Sequence, residues 1–490
     1  MDEGIFDLED SEAEISRLER PAIRKNWATP DGATFDLTIP PTVYPPREDT
    51  DLLCRTLRAL GPGKGKRLLE IGCGSGAVSM YAASLGYRVR ACDINPFAVA
   101  STKANSKRFN LAVEAYEGGP GPHQDGVPTQ WAGQNAHDLI VWNLPYLDQE
   151  HAQGDVLGPL EEAALLDTDS QGLVSRLMMQ VRENQLLTKR GLILLVVSNN
   201  SKGDNAEKEA QKSGFAARCI ATHEFEDGEM LRVLAVWTPY STSSIHRYER
   251  VESTNETAME EGENEGDLFI AQQQTKGRGR RGRTWLSAST CFAGSWLVRK
   301  GTSASNPGLL QILCGLAALD ASVLMGINND QIALKWPNDV YLHDHTGLGK
   351  LGGVLVEGKS KGKEAKIIAG IGINFSTAEP NEATFSMAYM SDCVDEASVE
   401  VYALVLHAIL ASYLERRADL PDPKTEAHIE TLERAIKASQ SLLGNPIYRN
   451  KTWFVAGLEN NGNLRLTNQE GEEVTLNDGE AIQWENLKTN

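Results

Sequence analysis

The segment Arg67-Leu68-Leu69-Glu70-Ile71-Gly72-Cys73-Gly74-Ser75-Gly76 decides the fold expected for the first half of the chain. Its apolar start predicts a buried strand, and its glycines predict a tight turn that leads into a helix. A second predicted strand, residues 88–92, ends in Asp93-Ile94-Asn95-Pro96. A glycine turn after the first strand, with an acid after the second, suits a nucleoside whose ribose hydroxyls need an acceptor. Further predicted strands at 191–197, 215–221 and 230–238, with a helix at 204–213, complete a seven-stranded α/β pattern.

A tetrapeptide, Asn143-Leu144-Pro145-Tyr146, follows the predicted strand 138–142. An Asn side chain and a neighbouring backbone carbonyl can hold an amide or amino NH₂ by its two hydrogens, with an aromatic ring packed over the group. Such a site works by proximity and orientation and does not need a strong base. Taken alone, the tetrapeptide is equally consistent with a plain turn. The glycine turn at residues 72–76, taken alone, is also consistent with an enzyme that uses a nicotinamide cofactor.

Four segments together carry a family resemblance: 43–50 (Val-Tyr-Pro-Pro-Arg-Glu-Asp-Thr), 69–76, 93–96 and 143–146. In this order they resemble HemK-type glutamine methyltransferases, above all the short archaeal and eukaryotic branch, which modifies a glutamine of a peptide-release factor. The resemblance covers residues 35–238 and implies a Rossmann-like class I methyltransferase that uses S-adenosylmethionine. It implies a release factor and a small zinc-binding activator subunit as partners.

The same resemblance assigns roles to individual residues. The cofactor would contact Glu70, Gly72, Gly74, Gly76, Asp93 and Asn143. The methyl acceptor would contact Asn143, Pro145 and Tyr146, with Asn143 as the catalytic candidate. Leu144 stands where the family usually has proline. This replacement keeps the backbone carbonyl, but it is expected to reduce the rigidity of the loop. The alternatives are a scaffold with a decayed active site and a methyltransferase that acts on another amino or amide acceptor.

A glycine- and arginine-rich segment follows the predicted strand 268–271 in the second half: Gln272-Gln273-Gln274-Thr275-Lys276-Gly277-Arg278-Gly279-Arg280-Arg281-Gly282-Arg283-Thr284-Trp285. Its glycines allow a backbone to approach a ligand closely. Its arginines supply planar donors for carboxylate and phosphate, and the indole could cover a flat base. The alternative is a solvated or nucleic-acid-binding segment. The net charge of −19 argues against a general nucleic-acid binder, because phosphate attraction needs a basic surface.

Further motifs surround this segment: Ser253-Thr254-Asn255, Lys335-Trp336-Pro337-Asn338-Asp339, residues 350–357 (Lys-Leu-Gly-Gly-Val-Leu-Val-Glu) and residues 370–374 (Gly-Ile-Gly-Ile-Asn). In this order they resemble biotin protein ligases, the biotin–[acetyl-CoA-carboxylase] ligases, from residue 248 to the C-terminus. The resemblance implies that the biotin carboxylate attacks the α-phosphate of ATP and that the acyl group then passes to a lysine of a biotin carboxyl carrier protein. Two anions meet in the first step, so cations must neutralise them.

Roles in this half again follow from the resemblance. Biotin would contact Ser253, Thr254, Gln274, Gly277, Arg278 and Gly353. ATP would contact Arg278, Arg280, Arg283, Trp285, Lys335, Asn338, Asp339, Lys350 and Asn374. The catalytic candidates are Lys350, Arg280 and Lys335, and Asp339 is the candidate partner for Mg²⁺ or for an arginine of the loop. Ser253 and Thr254 could serve only as a helix N-cap, and Trp336 and Pro337 are expected to pack.

The chain is too long for one core, and we expect a fusion of two enzymes. The expected parts are a methyltransferase domain (1–238), a linker (239–246), an α+β ligase catalytic domain (247–440) and a small C-terminal β-barrel (441–490). Residues 11–25 are predicted to be helical, and the apolar spacing in 306–326 predicts a core helix. No winged-helix segment precedes the ligase part, so DNA-operator binding is not expected.

The seven cysteines are scattered without paired spacing. This distribution predicts reduced thiols, with neither a disulfide framework nor a zinc site. The N-terminal residues lack an apolar signal core, and the longest apolar run, 192–197, is too short to cross a bilayer. We therefore expect a cytoplasmic protein without membrane contact, and a homodimer is left open.

Overall fold

The computed structural model describes residues 20–121, 128–145, 172–199, 203, 205–283, 285, 290–301, 306–361, 364–376 and 386–487. The chain divides into two compact units, which are described separately. One comprises Met1–Thr238 with Ala418–Leu420, and the other comprises Pro239–Arg417 with Pro421–Asn490.

The first unit is built on strands that alternate with helices. Its strands are β1 (Ile23–Ala28), β2 (Thr34–Ile39), β3 (Arg67–Ile71), β4 (Arg88–Asp93), β5 (Val113–Glu117), β6 (His137–Asn143), β7 (Leu187–Ser198), β8 (Ala216–Glu224) and β9 (Met230–Trp237). Its helices are α1 (Glu48–Ala59), α2 (Ala77–Ser84), α3 (Pro96–Arg108), α4 (Pro128–Trp131), α5 (Leu173–Glu183) and α6 (Ala206–Lys212).

Seven of these strands form one sheet in the order β5-β4-β3-β6-β7-β9-β8. The pairs among β3 to β7 are parallel, and β9 pairs antiparallel with both β7 and β8. Leu68, Leu69 and Ile71 of β3 are all buried, as expected for a central parallel strand that is covered on both faces. The predicted seven-stranded α/β pattern is therefore confirmed. Because β3, β4 and β6 are parallel, their carboxyl ends lie at the same edge of the sheet.

The N-terminal helix predicted for residues 11–25 is wrong where it can be checked. Residues 1–19 lie outside the described part, but Ile23 already belongs to β1, which pairs antiparallel with β2 from Ile23–Ile39 to Ala28–Thr34. Trp27 and Phe35 are buried opposite each other in this hairpin, with ring centroids 6.2 Å apart. Cross-strand aromatic packing thus overrides the weak local helical pattern.

The second unit combines a mostly antiparallel sheet with long helices. Its sheet strands are β10 (Ile245–Val251), β11 (Leu268–Gln274), β12 (Thr290–Gly301), β13 (Ile332–Lys335), β14 (Asp339–Asp344), β15 (Gly347–Lys361) and β16 (Glu364–Ser376), in the order β10-β11-β12-β16-β15-β14-β13. Only the β10–β11 pair is parallel. Its helices are α7 (Thr254–Glu261), α8 (Pro307–Leu324), α9 (Val399–Leu414) and α10 (Thr425–Leu443).

Helix α8 occupies the core of the second unit. Asn306 caps it by accepting a hydrogen bond from the Leu309 amide, and Pro307 occupies its first turn, both typical of a helix start. Among the described residues, α8 is the one helix long and apolar enough to cross a membrane, but 67% of it is buried inside the unit. Its leucines belong to the hydrophobic core, which explains its apolar composition. The predicted core helix is confirmed.

The C-terminal segment forms two three-stranded sheets. The first contains β17 (Pro446–Tyr448), β18 (Lys451–Thr452) and β22 (Gln483–Trp484), and the second contains β19 (Phe454–Leu458), β20 (Leu464–Thr467) and β21 (Glu473–Leu476). The short strands are as expected, and their closure into a barrel stays a prediction. Helix α10 runs to Leu443, so the boundary expected at 440 falls inside it.

The segment 239–246, expected as a linker, is packed over part of its length. Tyr240 is buried, and its backbone amide donates to Glu415 over 2.8 Å. The ring centroid of Tyr240 lies 5.4 Å from that of His407. Strand β10 then begins at Ile245, inside the same segment.

Candidate active sites

A cavity in the second unit collects almost all residues predicted for that half. Its volume is about 480 Å³, within the range of small-molecule sites. It is lined by the following residues with a predicted role: Ser253, Thr254, Gln274, Arg278, Arg280, Arg283, Trp285, Lys335, Asn338, Asp339, Lys350, Gly353 and Asn374. Further lining residues were missed: Asn255, Gly279, Val354, Leu355, Gly370, Ile371, Gly372, Met387, Gly479, Glu480, Ile482 and Gln483.

Polar groups of α7 and β11 form one end of the cavity. The backbone amide and the hydroxyl of Thr254 both donate to Gln274 Oε1, over 2.8 and 3.0 Å. Ser253 precedes α7, but its buried side chain accepts no capping hydrogen bond. Ser253 thus occupies the N-cap position of α7 without a side-chain capping bond.

Asn255 is the clearest residue that the predicted contacts missed. Its Nδ2 donates to Glu357 Oε2 over 2.7 Å, and its Oδ1 lies 2.6 Å from the hydroxyl of Ser295. A Cβ on Gly370 would approach Asn255 Oδ1 to 2.1 Å, so only glycine fits beside it. Its place in the Ser253-Thr254-Asn255 motif was the signal that could have identified it.

Lys350 and Asp339, which also line the cavity, form an ion pair. Lys350 Nζ lies 2.7 Å from Asp339 Oδ1. Asn338 Nδ2 also donates to Asp339 Oδ1, over 3.2 Å, and Arg280 Nη1 donates to Asn338 Oδ1 over 3.2 Å. The observed ion-pair partner of Asp339 is therefore Lys350, and Arg280 reaches the neighbouring amide. Asp339 faces the lysine since β14 and β15 are adjacent strands.

Lys335 brings a second ammonium group to the cavity. Its burial lowers the pKa, the nearby Asp339 carboxylate opposes this effect, and Lys350 lowers the pKa further. Trp336 is buried and donates from Nε1 to the carbonyl of Gly462 over 3.0 Å, so it packs as expected, although it also borders the cavity.

The C-terminal segment holds two arginines of the glycine-rich loop. Arg283 Nη2 lies 2.8 Å from Glu480 Oε1, and Arg281 Nη1 lies 3.1 Å from Glu480 Oε2. Arg281 also pairs with Asp478. Glu480 lies 199 positions after Arg281 in the sequence. Motif spacing therefore could not predict that Glu480 pairs with the arginines of this loop.

The start of the same loop is held by α7 and β15. Arg278 pairs with Glu256, and its Nη1 lies 4.0 Å from Glu357 Oε1. Gly277 is not a lining residue, but a Cβ there would lie 3.2 Å from that of Trp285, so its small size lets the indole approach. The predicted contact of Gly277 with biotin stays a prediction.

Two buried polar atoms on the cavity wall lack partners among the described residues: Trp285 Nε1 and Asn374 Oδ1. Asn374 Nδ2 donates to the carbonyl of Lys350 over 3.3 Å, which turns Oδ1 away from β15. The indole of Trp285 lies 5.8 Å from Lys350 Nζ. A Cβ on Gly372 would come within 2.6 Å of the indole, so glycine makes room for it. Unpartnered buried atoms in a cavity wall are candidate contacts for a ligand.

The first unit places its candidate residues at the carboxyl ends of β3, β4 and β6. Gly72, Gly74 and Gly76 have φ angles of +69°, +49° and +85°, which glycine adopts without strain. The backbone amide of Gly74 donates to Asp93 Oδ2 over 2.9 Å, and that of Asn95 donates to Oδ1 over 2.9 Å. Asp93 therefore ties the glycine turn to the end of β4.

Both acids of this edge are buried. Burial raises the pKa of Asp93, while the amide donors of Asn95 and Gly74 lower it. Burial raises the pKa of Glu70 to about 8, although a hydrogen bond from Ser79 opposes the shift. Burial therefore favours the protonated form of Glu70.

Asn143 ends β6 and has its side-chain amide held on one side. Its Nδ2 donates to Asp49 Oδ2 over 2.9 Å, and its Oδ1 is buried without a partner among the described residues. Asp49 had no assigned role, although it belongs to the 43–50 motif. The backbone amide of Leu144 donates to Val196 over 3.1 Å, a bond that proline cannot make, so the expected loss of rigidity is offset. Pro145 is half-buried, and Tyr146 lies outside the described residues.

Comparison with known families matches each of these two regions separately. Residues 248–374 match the biotin/lipoate A/B protein ligase family, and residues 47–175 match the methyltransferase small domain. The two matches lie in different halves of the chain, the methyltransferase match in the first and the ligase match in the second. The ligase match includes both the glycine-rich loop and the Lys350–Asp339 pair, and the methyltransferase match includes Asp93 and Asn143.

Individual relatives resemble one domain each. The bifunctional ligase/repressor BirA of Escherichia coli is 34% identical over 176 residues, which cover 35% of this chain and 52% of BirA. The biotin–[acetyl-CoA-carboxylase] ligase of Paracoccus denitrificans is 36% identical over 132 residues, 26% of this chain and 53% of that protein. A proposed protein N5-glutamine methyltransferase of Methanocaldococcus jannaschii is 35% identical over 112 residues, 23% of this chain and 51% of that protein. The chain thus spans about half the length of each relative.

Proposed function

We propose that the ligase domain activates biotin with ATP, as biotinyl-5′-AMP, and transfers it to a lysine of a biotin carboxyl carrier protein. The observation that carries this proposal is a cavity whose lining combines the amide and hydroxyl groups of Thr254, Asn255 and Gln274 with several lysine and arginine side chains. Thr254, Gln274 and Asn255 offer donors and acceptors suited to a ureido ring. The ligase family match and the similarity to a biotin ligase support this proposal.

The cations account for the activation step. The carboxylate oxygen of biotin attacks the α-phosphorus, the bond from that phosphorus to the bridging oxygen breaks, and pyrophosphate leaves. Lys350 and Lys335 lie on the same cavity wall and would reduce the repulsion between the carboxylate and the phosphates. A bound phosphate favours the charged form of Lys335 and so opposes the effect of burial on its pKa. Arg280 and Arg283 extend this positive wall.

The base of ATP fits the remaining wall. Asn374 Oδ1 is an unpartnered acceptor, which suits the 6-amino group of adenine. Trp285 offers an aromatic face beside it, and its Nε1 is also unpartnered. We infer that these two residues bind adenine by hydrogen bonding and by packing.

The cavity offers few protein carboxylates that could bind Mg²⁺. Asp339 and Glu480 are the acidic residues that line the cavity, and Asp339 already accepts from Lys350 and Asn338. The described residues contain no group of three or more His, Cys, Asp or Glu side chains that could hold a metal ion. Because Mg²⁺ in such sites is bound by one or two carboxylates and by substrate phosphates, ATP would hold it with Asp339 as the protein contact.

The test of the ligase proposal is direct. The intact chain is incubated with biotin and Mg-ATP, and the adenylate is sought by mass spectrometry, with and without a purified biotin carrier domain. We expect biotinyl-5′-AMP in the first reaction and a biotinylated lysine in the second. Absence of the adenylate would overturn the proposal, and adenylate without a labelled carrier would overturn only the acceptor.

We infer that the first domain methylates a protein glutamine, in a peptide-release factor, with S-adenosylmethionine as the methyl donor. The observation that carries this proposal is the position of Asn143 Oδ1, which is buried at the carboxyl end of β6. This oxygen can accept a hydrogen bond from an N–H of the substrate amide. The similarity to a proposed N5-glutamine methyltransferase supports this substrate class. The net charge of −19 disfavours DNA, which would be repelled at long range.

The residues present fit S-adenosylmethionine. The turn from Gly72 to Gly76 exposes backbone without side chains, and Asp93 offers a carboxylate at the adjoining strand end, where ribose hydroxyls need an acceptor. When bound, S-adenosylmethionine supplies an activated methyl group. Asn143 and its neighbouring carbonyl would orient the acceptor nitrogen toward that group. The alternative, a scaffold with a decayed site, predicts that the chain does not bind this cofactor.

Two assays separate these possibilities. Calorimetry of the intact chain with S-adenosylmethionine is expected to give saturable binding, and its absence would favour the scaffold. Methylation of a release factor that carries a Gly-Gly-Gln loop is then compared with methylation of duplex DNA. Transfer to DNA alone would reverse the choice of acceptor.

We further propose that the chain works in the cytoplasm, with the domain limits expected from the sequence, except that the ligase catalytic domain begins by Ile245 and extends to the end of α10 at Leu443. A zinc-binding activator subunit and a homodimer stay predictions, and they can be tested by co-expression and by light scattering.

A further inference from the structure

Asp49 is the residue that contacts the candidate acceptor-binding amide most directly. It lies in the first turn of α1 and is 2% exposed. Its Oδ2 accepts a hydrogen bond from Asn143 Nδ2 over 2.9 Å, across 94 positions of sequence. Neither the sequence motifs nor the family matches assigned this contact a role.

This contact determines which atom of the Asn143 amide faces the substrate. An ionised carboxylate accepts hydrogen bonds and cannot donate them, so the NH₂ group must face Asp49. The opposite amide atom, Oδ1, then points away and is buried without a partner among the described residues. The Asn143 side chain consequently presents an acceptor, and not a donor, on its free side.

Asp49 is itself held in place by three donors. The hydroxyl of Tyr44 donates to Oδ2 over 2.9 Å, and the backbone amide and hydroxyl of Thr50 donate to Oδ1 over 2.5 and 3.2 Å. The N-terminus of α1 also favours a negative charge at this position. These bonds keep the carboxylate in one orientation, which is what a positioning residue requires.

We propose that Asp49 is a positioning residue that restricts the methyl acceptor to groups bearing an N–H. This inference rests on the proposed methyltransferase function. A glutamine amide can donate a hydrogen to Asn143 Oδ1. A glutamate carboxylate of nearly the same shape brings only lone pairs and leaves Oδ1 unsatisfied. Sites built around such a buried polar atom discriminate strongly against an analogue that lacks the matching group.

The test is the substitution Asp49→Asn in the intact chain. The introduced amide can donate as well as accept, so the amide of Asn143 is free to rotate. The matched control is Asp51→Asn, two residues further along α1, where the carboxylate accepts from Trp27 Nε1 over 2.8 Å and not from Asn143. Cofactor affinity, methyl transfer to a Gly-Gly-Gln peptide and binding of a Gly-Gly-Glu peptide are measured for each protein.

We expect Asp49→Asn to lower kcat for the glutamine peptide at least about tenfold and to reduce the preference for the glutamine over the glutamate peptide by a similar factor. Cofactor affinity should stay within about twofold, and Asp51→Asn should leave both peptide measurements unchanged. Added to Asn143→Ala, the Asp49→Asn change should have no further effect on transfer. Additive effects, or an unchanged peptide preference in Asp49→Asn, would overturn the inference.

A spectroscopic measurement separates this inference from the proposed reaction. In protein labelled with ¹⁵N-asparagine, the side-chain NH₂ resonance of Asn143 is identified by its loss in Asn143→Ala. It should shift in Asp49→Asn and stay in place in Asp51→Asn. An unshifted resonance would contradict the role of Asp49. If the resonance shifts but the wild-type chain methylates no glutamine peptide, the proposed acceptor is wrong and the contact stands.

Discussion

Lys350 Nζ lies 2.7 Å from Asp339 Oδ1, so the lysine expected to bridge the two anionic substrates carries its own counterion in the ligand-free protein. Gly353 makes this pair possible, because a Cβ there would lie 3.0 Å from Asp339 Oδ1 and 3.5 Å from Lys350 Nζ. Both side chains are mostly buried, with exposed fractions of 19% and 17%. A phosphate or carboxylate that binds here must compete with Asp339 for the ammonium group.

Lys350→Ala should strongly slow formation of the adenylate and leave the fold intact. Removal of one preorganised charge at the reacting centre is expected to lower the rate of activation by about two to three orders of magnitude. The measurement is pyrophosphate release in single-turnover reactions. The control is Lys366→Ala, which loses an ammonium bonded to the carbonyl of Met259 away from the cavity. Unchanged pyrophosphate release in Lys350→Ala would contradict the mechanism.

Glu480→Gln should strengthen ATP binding. The Glu480 carboxylate lines the cavity and pairs with Arg281 and Arg283, and it therefore competes with phosphates for these arginines. Exposed pairs contribute less than about 1 kcal/mol, so we expect the Kd for ATP to fall by about two- to fivefold. Calorimetry in the absence of biotin measures this change. Glu470→Gln, which removes an exposed pair with Lys451, is the control, and weaker ATP binding in Glu480→Gln would refute the prediction.

Asp93→Ala should weaken binding of S-adenosylmethionine. The substitution removes a charged acceptor for a ribose hydroxyl, worth about 1.5–3 kcal/mol, which corresponds to an increase in Kd of about 10- to 150-fold. It also frees the Gly74 amide, which Asp93 holds. Asp138→Ala is the control, because Asp138 accepts from the Arg67 amide at the opposite, amino ends of the strands. Equal affinities in the two variants would count against the assigned cofactor site.

The stability of the methyltransferase domain should fall as the pH rises through the titration of Glu70. Burial raises the pKa of this carboxyl from 4.5 to about 8, so the folded state keeps a proton that the unfolded state releases. The contribution of this protonated carboxyl to the free energy of unfolding is fully present below pH 4.5 and is lost as the pH rises through about 8. Glu70→Gln should flatten this dependence, measured as the free energy of unfolding in urea at several pH values between those limits. Parallel curves for the two proteins would contradict the raised pKa.

Local sequence patterns were sufficient for the architecture of both domains. The run Leu68, Leu69 and Ile71 predicts a strand, and the glycines that follow adopt the positive φ angles that the turn needs. Such signals depend on residues within a few positions of one another, and burial of an apolar run does not depend on which strand covers it. The N-terminal hairpin is the exception, because its aromatic pair is formed across two strands and outweighs local propensity.

The sequence by itself determined that the chain holds two domains, identified thirteen of the residues that line the ligase cavity, and placed Asn143 at the end of a strand. Only the tertiary structure decided the partners: Asp49 for Asn143, Lys350 for Asp339, and Glu480 for the loop arginines. The physical reason is that motifs record which chemical groups are present, whereas a hydrogen bond or ion pair depends on distances set by strand register and by helix packing far along the chain. Asp49 and Asn143 are 94 positions apart, and they meet because α1 begins where β6 ends.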